Sequence, residues 1–133
     1  MEELTLNKSK ELIDKAIKRA EYLKVEMSFA VVDNGGNTIV SERMDGALFP
    51  TLKIAEGKAF TSAAWRKPSR EIIKRFKDNL GFAMSVNGMY QGRFTLGNGA
   101  FPIIKNGKLL GAMGASGGTG EQDEECVKYA LEE

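Results

Sequence analysis

The chain of 133 residues contains no histidine and a single cysteine, Cys126. Imidazole is the commonest general base near neutral pH and a common ligand of zinc, copper and haem iron. Its absence therefore excludes Ser-His-Asp triads, Cys-His dyads and histidine-bearing zinc sites. One cysteine excludes an internal disulfide and any four-cysteine zinc or iron–sulfur site, and it is compatible with a reducing cytosol. We expect no metal site.

Excess charge and long apolar runs are also missing. The 19 Lys and Arg residues nearly balance the 18 Asp and Glu residues, so a net charge of +1 gives no field that would attract nucleic acid or an anionic membrane. No apolar run approaches the roughly 20 residues that span a bilayer, and the N-terminus lacks the pattern of a signal peptide. We expect one cytoplasmic domain over residues 1–133, with no nucleic-acid or membrane partner.

The first third of the chain has the periodicity of regular structure. Apolar residues recur at three-to-four spacing from Thr5 to Lys24, as in an amphipathic helix, and Thr5 or Asn7 can cap its start. Side chains then alternate from Met27, the residues Asn34-Gly35-Gly36-Asn37 tolerate the positive φ of a tight reversal, and a second run extends from Thr38 to Met44. These features predict a helix followed by a β-hairpin.

Two more helices are predicted in the middle of the chain. Pro50 fits a first helical turn, because its missing N–H is one that a helix start leaves unpaired. Pro68-Ser69 ends this helix and caps the next, which extends to Gly81 with its apolar residues, Leu80 among them, facing inward. The first of the two carries a stripe of small residues that allows close approach of a sheet or of another subunit: Ala55, Ala59, Ser62 and Ala63.

The segment from Phe82 to Gly99 has the least regular pattern. It combines Met84, Met89, Tyr90 and Phe94 with several glycines. Two interpretations compete, a mobile flap with apolar side chains over a pocket and an edge strand with a long loop. The flap is favoured, because glycine weakens strands and marks bends.

The last third predicts a second hairpin and a final helix. Asn106-Gly107, the strongest short hairpin signal, lies between the runs Phe101–Ile104 and Lys108–Ala115. A helix follows from Thr119 to Leu131, opening with capping-box spacing. Hairpin connections require an antiparallel sheet that the helices must cover. We therefore expect an α+β fold, an α-β sandwich of the PAS- or profilin-like kind.

Four stretches of the sequence together resemble one family, the haem-binding HbpS/GlcG-like family, which also includes the C-terminal domain of PduO-type corrinoid adenosyltransferases. They span most of the chain: AVVDNGGN at Ala30–Asn37, ERMDGA at Glu42–Ala47, KIAEGKAFTSAAWRKPS at Lys53–Ser69, and AFPIIKNGKLLGAMGASGGTGEQDEE at Ala100–Glu125.

The resemblance implies an antiparallel sheet flanked by helices and a homo-oligomer of up to eight copies. Family members are linked to haem binding or turnover, to redox sensing, and to operons of glycolate or diol metabolism. The resemblance therefore does not identify the cofactor, and haem is one candidate. Where relatives usually have proline, this chain has Gly120. A histidine-ligated haem cannot be carried over to a chain without histidine.

Two of the matching motifs have a structural and a functional interpretation. In the structural interpretation, Asp45 caps a turn. In the functional interpretation, the guanidinium of nearby Arg43 would bind a carboxylate or propionate bidentately. The backbone N–H groups of the turn from Ser116 to Thr119 could converge on an anion, but the acidic residues that follow oppose phosphate. We favour a turn and cap there, with a small neutral or carboxylate ligand as the alternative. Glu121 and Glu124 suggest a solvated face more than a weak hard-metal site.

Few groups remain that could contact a tetrapyrrole. Cys126 falls on the core face of the last helix, whereas Met84, Met89 and Tyr90 are better placed to line an apolar cavity. Lys58 could pair with propionates or be a solvated helix charge. The full set of candidate cofactor-binding residues is Arg43, Asp45, Lys58, Met84, Met89, Tyr90, Phe101, Pro102, Ser116, Gly117, Gly118 and Thr119.

Two classes of function fit these features. The favoured one is a homo-oligomeric binding or sensor protein for a small carboxylate-bearing or planar apolar ligand, such as haem or another tetrapyrrole, without a histidine axial ligand. The alternative is an enzyme or accessory subunit of glycolate, diol or corrinoid metabolism or of haem turnover. An enzyme would need an acid or base among Asp33, Asp45, Lys58 and Tyr90, and the sequence shows no such constellation.

Overall fold

The computed structural model describes residues 3–132. Five helices and four strands confirm the α+β expectation. In chain order they are α1 (Leu6–Leu23), β1 (Ser28–Asp33), β2 (Thr38–Arg43), α2 (Pro50–Trp65), α3 (Ser69–Phe76), α4 (Leu80–Met89), β3 (Ala100–Lys105), β4 (Lys108–Ser116) and α5 (Gly120–Leu131).

The four strands form one antiparallel sheet in the order β2-β1-β4-β3. Both predicted hairpins are confirmed. Asn106 and Gly107, which join β3 to β4, both have positive φ (52° and 77°), as a two-residue primed turn requires. The outer strand β3 contains Pro102, which fits an edge position because proline has no N–H to donate to a neighbouring strand.

The two faces of the sheet are covered differently. Helices α1 and α5 pack on the face that carries Phe29, Val31 and Met113, and together they enclose the main core. Helix α2 packs on the other face, where the small side chains of Val32 and Ala112 meet its own alanines. Both central strands are therefore buried on both sides.

The stripe of small residues on α2 faces the sheet of the same chain. Ala55 and Ala59 are fully buried, and they lie directly above Gly114 of β4. A Cβ at Gly114 would come within 2.5 Å of the Ala55 carbonyl oxygen and 2.9 Å of the Ala59 nitrogen. Of the two partners predicted for this stripe, a sheet or another subunit, the structure selects the sheet.

The segment predicted as a flap or an edge strand begins as a helix instead. Helix α3 ends at Phe76, earlier than expected, and α4 follows over Leu80–Met89. Leu80, expected to face inward, is 56% exposed. The helix was missed because apolar residues surround its whole circumference, which leaves no three-to-four period to detect. Between residues 3 and 132, no helix is long and apolar enough to cross a membrane.

Candidate functional site

Helix α4 presents an apolar surface without charge. No Lys, Arg, Asp or Glu occurs between Asp78 and Arg93, and no residue of α4 is buried. A large uncharged apolar patch on a protein surface commonly marks a site where a ligand or a partner binds. The exposed large side chains of this surface are Leu80, Phe82, Met84, Met89 and Tyr90.

A narrow apolar slot lies beneath α4. Its volume is about 110 Å³, well below the ~300 Å³ at which pockets begin to enclose a drug-sized ligand, so it admits only the edge of a larger molecule. Helix α2 contributes Thr61 and Trp65 to its wall, and α3 contributes Phe76. The remaining lining residues are Leu80, Ala83, Met84, Val86, Asn87, Phe94 and Leu96.

Aromatic rings run in a continuous series along the slot. Phe82 stacks on Phe76 with centroids 6.0 Å apart, and Phe76 meets Trp65 edge to face at 5.1 Å. The series continues from Trp65 to Phe94 at 6.3 Å, and from Phe94 to Phe60 at 5.0 Å and Tyr90 at 5.3 Å. The Arg75 guanidinium lies 5.3 Å from the Trp65 ring centroid, which brings a cation to this aromatic series.

The segment 93–96 divides the slot from a second, more polar space. Phe94 and Leu96 line the slot, whereas Arg93 and Thr95 line a groove of about 400 Å³ on the other side. Two hydrogen bonds hold the segment, since the Phe94 N–H donates to Asn87 Oδ1 at 2.9 Å and the Thr95 N–H donates to Thr61 Oγ1 at 2.8 Å.

This crossing requires glycine at position 57 of α2. A Cβ there would lie 2.1 Å from Thr95 Oγ1 and 3.3 Å from the Arg93 carbonyl oxygen. Gly57 thus lets the segment cross directly over the helix. The separation of the slot from the groove depends on that close approach.

A second group of predicted site residues meets at one end of the sheet. Ser28 of β1 pairs with Arg43 on one side and with Ser116 on the other, which brings the two predicted motifs to the same sheet end. Here the Lys58 Nζ donates to the Ala115 carbonyl oxygen at 3.0 Å and to Asp123 Oδ2 at 3.0 Å.

The Lys58–Asp123 pair is buried and also fixes the turn before α5. Asp123 Oδ1 accepts the Gly118 N–H at 2.9 Å. Burial raises the pKa of the Asp123 carboxyl above its usual value, and the attraction of Lys58 offsets this only in part. Both charges of the pair are therefore used within the fold, where Lys58 joins α2 to β4 and α5.

The acidic start of α5 joins the other helices. Asp123 pairs with Lys58 of α2, and the next two acids form ion pairs with α3 and α1 through Glu124–Arg70 and Glu125–Arg19. The hydrogen bond to Glu124 raises the pKa of Arg70. The predicted capping box of Thr119 and Gln122 is present. Within residues 3–132, no cluster of three or more His, Cys, Asp or Glu side chains could hold a metal ion.

The sequence-predicted residues therefore fall into three regions. Arg43, Asp45, Lys58 and the turn Ser116–Thr119 belong to the sheet end, and Met84, Met89 and Tyr90 belong to α4 and its C-terminus. Phe101 and Pro102 lie on the edge strand β3, where Phe101 packs against the main core. The structure does not bring the three regions together into one site.

The remaining reactive candidates are engaged elsewhere. Cys126 is fully buried beside Met27, with sulfur atoms 3.8 Å apart, and burial raises its pKa to about 11. It stays a protonated thiol inside the core, as expected for its place on the helix. Asp33 Oδ1 accepts the N–H groups of Gly35 and Asn37 and so shapes the first hairpin turn.

Sequence reasoning missed the residues that build the slot. Trp65, Phe76 and Arg75 were not singled out as site residues, because they come from separate elements and share no motif. The signal that could have found them is the run between Asp78 and Arg93, which lacks the charged residues of an ordinary surface loop.

Comparisons with known proteins agree with this fold. The "Uncharacterized 15.0 kDa protein in dhaT-dhaS intergenic region" of Citrobacter freundii is 36% identical over 132 residues, which cover 97% of this chain and 90% of that protein. Corrinoid adenosyltransferase PduO of Citrobacter freundii is 29% identical over 128 residues, so this chain spans 38% of its length. The solved structure of a PduOC:heme complex has a TM-score of 0.86 at 28% identity, covering 97% of this chain and 93% of that one.

A family model described as "Haem degrading protein HbpS-like" matches residues 4–132, almost the whole chain. This match confirms the resemblance indicated by the four sequence stretches. The chain therefore belongs to the HbpS-like family.

Proposed function

We propose that this protein binds a planar tetrapyrrole, such as haem, on the apolar surface of α4 and the aromatic residues beside it. The observation that carries the proposal is the exposed, uncharged helix α4 with an apolar slot beneath it. A tetrapyrrole is a flat apolar ring that carries carboxylates at one edge. PduOC, to which this chain is similar, forms a complex with heme, which supports the same ligand class here.

The side chains present fit the macrocycle better than they fit its iron. Apolar and aromatic side chains suit the ring, the slot admits one edge, and Arg75 offers a cation to a carboxylate. No histidine exists in the chain, so the protein groups on this surface that could meet iron are the Met84 and Met89 thioethers and the Tyr90 phenol. We propose that apolar contact with the ring supplies most of the affinity.

Hemin titration of the purified full chain tests this proposal. We expect a saturable change of the Soret band and quenching of Trp65, which is the chain's single tryptophan and lines the slot. Replacing Met84 by lysine (Met84→Lys) places a charge at the slot and should weaken binding about tenfold or more, the equivalent of ~1.4 kcal/mol.

Tyr22→Lys is the matched control, because Tyr22 is 72% exposed on α1, far from the slot, and Met84 is 73% exposed. It should bind hemin as the unmodified protein does. A Soret band that does not saturate, or equal losses in the two variants with native circular dichroism, would refute the proposed site.

We also propose that copies of the chain associate through Leu48 and Phe49. These neighbouring residues before α2 are the most exposed large apolar side chains in the described part of the chain, at 74% and 80%. The family resemblance implies a homo-oligomer of up to eight copies. Burial of such exposed apolar side chains against another copy would stabilise that assembly. Light scattering after size exclusion should show a lower mass for Phe49→Asp and an unchanged mass for Tyr22→Asp; equal masses would contradict this surface.

A further inference from the structure

The polar groove beside segment 93–96 carries two cations without an acidic partner. Within residues 3–132, neither Lys53 nor Arg93 forms an ion pair. Both line the groove of about 400 Å³. Glu56 is the only acid in the lining, and its carboxylate already accepts the Thr38 hydroxyl at 2.9 Å. The groove therefore has excess positive charge and free donors.

The Arg93 guanidinium is held in place before any ligand arrives. Its Cζ lies 4.0 Å from the Phe60 ring centroid, and Nη2 donates to the Gly36 carbonyl oxygen at 2.9 Å. Gly36 permits this arrangement, since its φ is +82° and a Cβ there would lie 2.6 Å from the Phe60 ring. A guanidinium has five N–H donors, so this backbone bond leaves others for a ligand.

We propose that this groove is a second binding site, which takes a small aliphatic carboxylate. A carboxylate matches the planar fork of Arg93, and Lys53 adds a second cation on α2. The site is separate from the tetrapyrrole surface, because Phe94 and Leu96 of the dividing segment face the slot while Arg93 and Thr95 face the groove. The proposal does not rest on tetrapyrrole binding.

Succinate and acetate are suitable probes for an amide-detected NMR titration of the full chain without hemin. We expect saturable shifts at the Gly57, Gly92 and Thr95 amides, all in the groove lining, and at the Arg93 side-chain N–H. Sodium chloride at equal ionic strength should not reproduce these shifts. Any salt screens exposed charges alike, whereas a carboxylate also matches the planar fork of Arg93.

Three variants make the test specific. Arg93→Gln should weaken succinate about tenfold or more, which corresponds to ~1.4 kcal/mol, and Arg93→Lys should also weaken it because the planar fork is lost while the charge is kept. Lys18→Gln, which removes an exposed cation on α1, should leave succinate binding unchanged. Amide shifts far from the groove show whether each variant is folded.

Three results would overturn the carboxylate site. The first is a set of shifts that chloride reproduces, and the second is succinate binding that is unchanged in Arg93→Lys. The third is a set of groove shifts that appears with protoporphyrin but not with succinate. That result would assign the groove to the carboxylate edge of the tetrapyrrole. Failure of the tetrapyrrole proposal is distinguishable, since hemin would then leave the Soret band unsaturated while succinate still bound.

Discussion

Lys58 Nζ lies 3.0 Å from Asp123 Oδ2, and the two side chains are only 8% and 4% exposed. This buried ion pair joins α2 to the first turn of α5, across 65 residues of sequence. A buried pair contributes little net stability compared with apolar residues, but losing one partner leaves an uncompensated charge in the interior. The first turn of α5 is therefore sensitive to the loss of either partner.

Removing the cation of this pair should destabilise the protein strongly. Lys58→Met leaves the Asp123 carboxyl buried without its partner, and we expect the free energy of unfolding to fall by about 3–5 kcal/mol in urea titrations. The double variant Lys58→Met with Asp123→Asn should recover part of the loss, because the amide is neutral and can still accept the Gly118 N–H.

Lys53→Met is the matched control on the same helix, since Lys53 is exposed and forms no ion pair within the described chain. Its effect should stay within about 0.5 kcal/mol. A Lys58→Met variant as stable as Lys53→Met would show that the buried pair is unimportant.

Two glycines should respond to alanine in opposite directions. Gly114→Ala forces α2 away from the sheet, because the new Cβ would lie 2.5 Å from the Ala55 carbonyl oxygen, and we expect a loss of about 1–3 kcal/mol. Gly88→Ala has no atom within 4 Å of the new Cβ and lies inside α4, so a gain of about 0.5–1 kcal/mol is expected. Thermal and urea unfolding measure both, and effects of equal sign would contradict the packing described.

Alkaline pH should reveal the burial of Cys126. Its pKa is about 11 in the folded protein against an ordinary 9.0, so the unfolded thiol loses its proton first. The free energy of unfolding should fall as pH rises from 9 to 11, by about 3 kcal/mol more in the unmodified protein than in Cys126→Ala. Parallel pH profiles for the two proteins would be inconsistent with a buried thiol.

The hydroxyl of Thr61 should control the segment 93–96. It donates to the Gly57 carbonyl oxygen at 2.7 Å and accepts the Thr95 N–H at 2.8 Å, and Thr61→Val removes both bonds without changing the size of the side chain. We expect a loss of about 1–3 kcal/mol and faster hydrogen exchange of the Thr95 amide. Ser85→Ala removes an exposed hydroxyl that bonds to Gly81, and it should leave that exchange rate unchanged.

Elements with local signals were predictable from the sequence. Helix α1 begins after Thr5, whose hydroxyl accepts the Lys8 N–H, and α5 begins with the capping box at Thr119. Asn106-Gly107 specified its turn directly, because both residues adopt the positive φ that few others tolerate. In each case a few neighbouring residues contain the physical cause of the structure.

The candidate site was less predictable because its causes are not local. Helix α4 has no polar face, so its periodicity is invisible, and the aromatic series joins Phe60, Trp65 and Phe94 from different parts of the chain. Lys58 has the sequence pattern of a solvated helix charge, and only the folded chain shows that it is buried against Asp123. Such contacts depend on how α2, α4 and α5 pack, which local propensity does not specify.

The segment 93–96 forms a common wall for the slot and the groove. A ligand in the slot that stabilises one position of this wall changes the free energy with which a second ligand binds in the groove. Thermodynamic linkage makes that effect reciprocal, so each ligand would alter the affinity of the other by the same factor. Gly57 and Thr61, which fix the wall against α2, are therefore positions at which substitution would alter such cooperativity.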